Sequence, residues 1–366
     1  MEKILITGAN GFIGSHLIDF CLKEGFQVYG LDRENQTYRN LSHYTDRLAF
    51  SKEDKQIFLD EFIKLPTNNK NLILLECNIK NAFLLEKIIV AINPAYIFHF
   101  AAQPYIIPSW ENPVDTIETN VLGTVNIFES IKKNNLKTKV ILACTSTEYG
   151  TSAETNKPLT EDTRLLPVHP YGISKVAAEL LARQYYLNFD IECVNLRFFN
   201  QTGIRRVNDA PSDFIRKLVQ IELGLVEPII EVGNLDSYRD FTDIRDSTKA
   251  IWLAANKGKP GETYNICSKR KIQIRSILNI ILRFSKKKIE IIENVERKVR
   301  KRDEDIIIGD FSKIKEDLGW EPTISIEETL EEMYNFWLEY YRKKKMLTTC
   351  KFFKITKLQK LKVKKK

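Results

Sequence analysis

Clustered cysteine and histidine are missing from this 366-residue chain. Its six cysteines (Cys21, Cys77, Cys144, Cys193, Cys267 and Cys350) form no C-x-x-C pair, and its four histidines add no ligand-spaced group. That spread excludes a zinc ribbon and a disulfide framework, implies no metal site, and fits a reducing, cytoplasmic setting. Long apolar runs are missing too: none approaches the roughly 18–20 residues of a membrane span. The apolar start, Ile4-Leu5-Ile6, is too short for a signal-peptide core and runs straight into glycines. Acidic residues are absent from positions 343–366, which hold eleven lysines; with those eleven charges set aside, the chain's +8 becomes −3 for residues 1–342. The basic character therefore belongs to a tail rather than to a folded face, and no aromatic-rich motif accompanies it, so no nucleic-acid partner is expected. Phe352, Phe353, Ile355, Leu358 and Leu361 among the lysines leave two readings of the tail: a frayed end, or weak attachment to an anionic membrane surface.

What remains is an ordinary globular composition, 43% hydrophobic and 28% charged, long enough for one large or two modest domains. No internal repeat is visible. Short apolar runs at Lys3–Thr7, Gln27–Leu31, Leu72–Cys77, Tyr96–Phe100, Val140–Cys144 and Ile191–Leu196 alternate with helical patterns at Phe12–Lys23, 81–92, 114–133 and 170–188. This alternation predicts an α/β fold of Rossmann type, a doubly wound parallel sheet, over residues 1–200. A polar, partly helical insertion at 33–71 interrupts it. Beyond residue 200 the alternation breaks down. Residues 201–342 are expected to form a smaller C-terminal α/β substrate-binding cap whose chain crosses back to the first domain. Its strands fall at Pro228–Val232, Thr263–Ile266 and Lys288–Glu293, and a closing helix at 326–342; the basic tail follows at 343–366.

Gly8-Ala9-Asn10-Gly11-Phe12-Ile13-Gly14 follows the first strand and opens the first helix. Gly8 permits a tight turn, Gly11 lets backbone amides approach a pyrophosphate, and Gly14 allows close helix–strand packing; the helix start, with Phe12 and Ile13, offers N–H groups and positive dipole. The second strand ends in Asp32, whose carboxylate suits the adenosine ribose of NAD. Arg33 beside it suits the 2′-phosphate of NADP; the balance leans to NAD. Asn78 and Ile79 fall near the adenine, and Ala101-Ala102-Gln103 end the fourth strand with small residues that let the backbone come close to the cofactor.

Tyr171-Gly172-Ile173-Ser174-Lys175 has the Y-x-x-x-K spacing, which on a helix turns phenol and ammonium to the same side. A free tyrosine is a poor base at neutral pH, and a neighbouring lysine favours its phenolate. A strand ending in Cys144-Thr145-Ser146-Thr147 supplies a hydroxyl for the substrate oxygen, so Thr145, Tyr171 and Lys175 are the expected catalytic group. Lys175 also suits the nicotinamide ribose.

These segments resemble the nucleotide-sugar epimerase/dehydratase family of extended short-chain dehydrogenases/reductases, over roughly residues 3–340. The resemblance is nearest to the branch of GDP-mannose 4,6-dehydratase and GDP-4-keto-6-deoxymannose reductase. It is carried by Glu148-Tyr149-Gly150, His169-Pro170-Tyr171, Arg197-Phe198-Phe199-Asn200-Gln201-Thr202-Gly203, Val232-Gly233-Asn234-Leu235, Arg239-Asp240-Phe241-Thr242-Asp243 and Gly319-Trp320-Glu321-Pro322. The resemblance implies that Asn200, Arg239 and Arg300 contact the nucleotide diphosphate, that Arg206 contacts a cofactor phosphate, and that the enzyme is a dimer or higher homo-oligomer. It also implies hydride transfer at sugar C4 of a GDP-hexose. A 4,6-dehydratase of this family carries a Glu two residues after the catalytic Ser/Thr; here that position is Thr147, and the nearest acid, Glu148, is one step on and faces away if the strand continues. Thr147 and Glu148 are kept as candidate substrate contacts. The expected activity is a GDP-4-keto-6-deoxyhexose reductase, with GDP-mannose 4,6-dehydratase and nucleotide-sugar 4-epimerase as alternatives, and a non-catalytic dinucleotide sensor as the reading from another class.

Overall fold

The computed structural model describes residues 2–34, 37–45, 56–58, 62–155, 157–294 and 306–363, with the side chains of 56–58, 62, 63, 155, 344 and 346–363 left aside. The chain divides into two compact units: one of residues 1–201, 239–271 and 304–323, the other of 202–238, 272–303 and 324–366.

The first unit is built on a nine-stranded sheet. Its strands are β1 (Lys3–Thr7), β2 (Gln27–Asp32), β3 (Gln56–Phe58), β4 (Phe62–Leu65), β5 (Leu72–Glu76), β6 (Tyr96–His99), β7 (Lys139–Thr145), β8 (Cys193–Phe198) and β9 (Thr263–Ile266), in the order 9-8-7-6-1-2-5-4-3. From β9 to β5 every pairing is parallel. The order reverses between β6–β1 and β1–β2, the arrangement in which a doubly wound sheet opens a crevice at its carboxyl edge.

Each strand buries both faces because successive side chains point to opposite sides. Ile4, Ile6, Leu74, Phe98, Ile141 and Leu196 therefore pack with helices α1 (Phe12–Lys23), α8 (Ile244–Lys257) and α10 (Ser312–Leu318). Leu5, Leu31, Leu75, Ile97, Val140 and Leu142 pack with α2 (Ala82–Ile92), α5 (Gly123–Lys133) and α6 (Pro170–Phe189) on the other face. Cys21, Cys77, Cys144, Cys193 and Cys267 are buried free thiols within this unit.

Three elements differ from expectation. Among its described residues the insertion at 33–71 holds, besides a 3-10 turn at Arg39–Leu41, the strands β3 and β4, which pair antiparallel with each other and, through β4, with β5. Apolar runs at Ile57-Phe58-Leu59 and Phe62-Ile63 on either side of Asp60-Glu61 favour strands over a helix. Thr263–Ile266 is no cap strand; it closes the main sheet beside β8, with Tyr264 and Ile266 fully buried. The helix expected at 114–133 is broken into α4 (Pro113–Ile117), a π-turn at Glu118–Leu122 and α5. Ahead of it lies the short α3 (Ile106–Glu111).

In the second unit α7 (Ala210–Glu222), α9 (Ile274–Leu282) and α11 (Ile326–Val363) pack on one another, and strands Ile229–Val232 and Glu290–Glu293 pair in parallel. Trp337 and Tyr341 seat α11: the Arg216 guanidinium lies 5.1 Å from the Trp337 ring, and Gln220 donates to the Tyr341 hydroxyl at 2.7 Å. The expected closing helix thus runs beyond 342, as far as Val363. Among the described residues no helix is long and apolar enough to cross a membrane.

Candidate active site

The glycine turn sits at the carboxyl end of β1. Gly8 has φ +70°, and a Cβ there would stand 2.8 Å from the Ala101 nitrogen and 2.9 Å from the Phe100 carbonyl carbon. The turn is therefore pressed against the chain leaving β6, and only glycine fits. Helix α1 begins at Gly11 with no side chain capping it, so its first-turn amides at Phe12, Ile13 and Gly14 form the kind of start that receives an anion. Asp32 ends β2 next to this turn and accepts the backbone N–H groups of Asn10 and Arg33, each at 2.9 Å. Burial pushes its carboxyl up, and those two amides and the Arg33 charge pull it back down. Glu76 is its register partner on β5. Arg33 is exposed. These features fit a dinucleotide: an amide-lined turn without side chains for the pyrophosphate, and a carboxylate for the ribose.

Of the neighbouring candidates, Asn78 is exposed and its side-chain oxygen accepts from the Lys80 amide, while Ile79 is buried against Gly123. The Ala101 amide donates to the Thr7 hydroxyl at 3.2 Å. Ala102 is half-buried beside it. Gln103 is held by Asn120, whose Oδ1 accepts the Gln103 amide at 2.7 Å and whose Nδ2 donates to the Gln103 carbonyl at 3.1 Å.

The second group gathers at the end of β7. Thr145 ends the strand and starts a 3-10 turn, Ser146–Glu148, as its cap. Its Oγ1 accepts from the Thr147 amide and the Thr147 hydroxyl, both at 3.3 Å. Helix α6 lies alongside. Lys175 donates from Nζ to the Ala143 carbonyl at 2.7 Å, and burial lowers its pKa. A Cβ on Gly172, next to Tyr171, would stand 2.9 Å from the Thr147 carbonyl oxygen, so the first turn of α6 rests directly on the Thr145–Thr147 turn. The structure thus brings Thr145, Tyr171 and Lys175 onto two elements in contact, with Thr147 half-exposed beside them.

Glu148, the other candidate on this turn, has no exposed surface. The 3-10 turn rolls its side chain back under β7, where Oε1 accepts the Thr145 amide at 2.9 Å and Oε2 lies 3.6 Å from the Arg197 Nε. Arg197 is held bidentate by Glu179, at 2.5 and 2.9 Å. Two buried carboxyls thus share one guanidinium. Burial and the Glu179 charge push the Glu148 carboxyl well above the usual carboxylate range, and Arg197 opposes them. Cys144 joins them in the one cluster of metal-ligand type among the described residues, and both of its carboxyls are already engaged with Arg197.

Two residues that order this site carry little signal in the sequence. Asn120 lies in the π-turn and also donates to the Ser174 hydroxyl at 2.9 Å, linking the chain after β6 to α6. His169 caps α6. A polar residue just before a proline is a helix-start signal, and it was available at His169-Pro170; Asn120 inside a helical pattern offered none.

Asn200 bonds to the Asp240 carbonyl through its amide at 3.2 Å and its side chain at 3.3 Å, which sets it beside the Arg239-Asp240 segment. Asp240 is buried and anchors that segment on the amides of Ser268, Lys269 and Gly309. Arg206 lies in the second unit, paired with Asp209 at 3.3 Å. Arg300 lies outside the described residues.

The family model described as GDP-mannose 4,6 dehydratase matches residues 5–333. The chain belongs to that family. Among its relatives is a GDP-mannose 4,6-dehydratase of Yersinia enterocolitica, 29% identical over 91% of this chain and 93% of the relative. A GDP-6-deoxy-D-mannose reductase of Pseudomonas aeruginosa is 27% identical over 67% of this chain and 80% of its own length. Among solved structures, a UDP-glucuronic acid 4-epimerase from Bacillus cereus, in complex with UDP-glucuronic acid and NAD, superposes with a TM-score of 0.76 at 28% identity, covering 93% of this chain and all of that one. The GDP-mannose 4,6-dehydratase family is one of nucleotide-sugar-modifying short-chain dehydrogenases/reductases, and the doubly wound sheet with its glycine turn is the fold its members share.

Proposed function

We propose that this chain is an NAD(P)-dependent enzyme acting at C4 of a nucleotide-linked hexose, and specifically a reductase of a GDP-4-keto-6-deoxyhexose. The supporting observation is the Thr145–Glu148 turn. Removing a C5 proton and expelling a C6 hydroxyl needs an acid/base beside Thr145. The residue two after Thr145 is Thr147, which has no carboxylate, and Glu148 is sealed in the interior with Arg197 and Glu179. That arrangement leaves hydride chemistry at C4 without the elimination.

Gly8, Gly11, Phe12, Ile13 and Gly14 would hold the pyrophosphate, Asp32 the adenosine ribose, and Lys175 the nicotinamide ribose. When bound, the nicotinamide supplies or accepts a hydride at the sugar carbon. Tyr171 carries the proton that O4 gains on reduction and takes it back in the reverse direction. Lys175 next to it stabilises the phenolate left behind, and the Thr145 hydroxyl bonds O4 and aims it at the phenol. The paired carboxylates of Asp32 and Glu76 disfavour a 2′-phosphate, so NAD is the expected partner over NADP. Asn200 and Arg239 are assigned to the substrate diphosphate, which suits a planar, permanently charged donor. The second unit is taken as the substrate-binding part, with Arg300 as a candidate contact of the substrate diphosphate, and Arg206 is assigned to a cofactor phosphate.

A homodimer is the proposed assembly. Ile107 and Trp110 of α3, Val114 and Ile117 of α4, and Ile173 and Leu180 of α6 are exposed apolar side chains on three helices that pack together. Exposed apolar side chains gathered on helices that pack together mark an interaction surface, and light scattering on the purified protein should give twice the chain mass.

The substrate experiment is mass spectrometry with GDP-mannose and, separately, GDP-4-keto-6-deoxymannose plus NADH. Two added hydrogens on the ketosugar with matching loss of NADH absorbance are expected. Loss of one water from GDP-mannose would instead make the enzyme a dehydratase. Tyr171→Phe should reduce turnover by at least about 100-fold while NAD affinity stays within two-fold.

A further inference from the structure

The first turn of α6 carries Tyr171, and helix ends are where order is weakest, because four N–H groups there lack intrahelical partners. Small polar residues usually supply the cap: Asn, Asp, Ser or Thr. Here the cap is His169. Its backbone is extended (φ −149°, ψ 157°), Pro170 follows at the first helical position, and its Nδ1 accepts the Gly172 amide at 2.9 Å.

A small cap would satisfy that amide as well, but the imidazole does more. Its ring lies nearly parallel to the Tyr171 ring, 11° between planes with centroids 5.9 Å apart, and meets the Trp110 ring edge-on, at 83° and 6.4 Å. The side chain is 4% exposed. Because Nδ1 accepts, a neutral ring carries its hydrogen on Nε2. One end of the ring is thus tied to the amide next to Tyr171, while its face supports the Tyr171 ring and its flank is closed by Trp110. Lys175, one turn on, is tied separately to the Ala143 carbonyl. The cap and the ring contact thus both act on the turn that carries the phenol.

We infer that His169 is the positioning residue of the reaction, setting the Tyr171 phenol by capping its helix turn through Nδ1 and bracing its ring. This rests on the reading of Tyr171 as the proton carrier at O4.

The test uses the full-length protein, NADH and GDP-4-keto-6-deoxymannose. His169→Ala should lower kcat about ten-fold, the scale of a lost cap together with a lost ring contact, with KM and NADH affinity within two-fold. His169→Asn, which restores an acceptor of similar reach, should recover at least three-fold of that loss. Long-range proton–nitrogen NMR on histidine-labelled wild-type protein should show His169 as the Nε2–H tautomer. Unchanged kcat in His169→Ala, no recovery in His169→Asn, or an Nδ1–H tautomer would each overturn the inference. Tyr171→Phe separates the two levels. If it is inactive while His169→Ala is fully active, the positioning role alone falls; if it is fully active, the proposed reaction and the positioning role fall together.

Discussion

At the scale of single residues, two positions show how environment decides what a side chain does. Glu148 and Glu179 are both glutamates in one interior, yet Glu179 keeps its charge because, although burial works against it, the Arg197 guanidinium grips it bidentate. Glu148 is left with a longer, weaker approach and its pKa rises. A carboxyl raised in the folded state keeps a proton that the unfolded chain releases near pH 4.3. Stability therefore falls as pH rises from there through the folded value. Glu148→Gln should flatten this slope, so that its urea midpoint gains on the wild type at pH 9 relative to pH 5; parallel pH profiles would refute it. Gly8 is the other case. An alanine there combines φ +70° with a Cβ 2.8 Å from a backbone nitrogen. We expect Gly8→Ala to cost about 2–4 kcal/mol and to abolish NAD binding, read by calorimetry beside a denaturation curve.

At the scale of elements, the π-turn at Glu118–Leu122 is the joint of the site. The extra residue in that turn directs Asn120 inward, and π-turns of this kind recur at functional positions. From there Asn120 ties the chain after β6 to Ser174 on α6, so two separate elements that meet the candidate cofactor are held by one amide. Asn120→Ala leaves buried partners unsatisfied and should destabilise the protein by about 2–4 kcal/mol, with a fall in kcat larger than the change in NAD affinity. Equal activity at equal stability would show that the turn only spaces the helix. Periodicity in the sequence carried the helix on both sides of this turn but not the turn itself, because an inserted residue leaves the apolar pattern nearly intact.

At the scale of the whole molecule, the lysine-rich segment continues α11 from a part seated by Trp337 and Tyr341. The buried seating residues precede position 343 and the Lys345 bond to the Leu223 carbonyl is exposed to solvent, so deleting 343–366 should leave turnover and thermal midpoint unchanged; a large loss of activity would give the tail a catalytic role. The parallel strands, their order of appearance and the glycine turn were legible in the sequence, because buried strands are short unbroken apolar runs and because only glycine tolerates the turn at Gly8. The Y-x-x-x-K spacing was legible for the same local reason: i and i+4 share a helix face wherever the helix lies. Which strands pair was not local. Thr263–Ile266 reads equally well as a cap strand or a sheet edge, and only β8 beside it decided the matter. The turn after Thr145 is closed locally by a capping box in which Glu148 accepts the Thr145 amide, while Arg197 and Glu179, distant in sequence, supply the buried surroundings of that carboxyl. Local patterning sets the elements and their spacing, and long-range packing and charge compensation choose their neighbours and which side chains face outward.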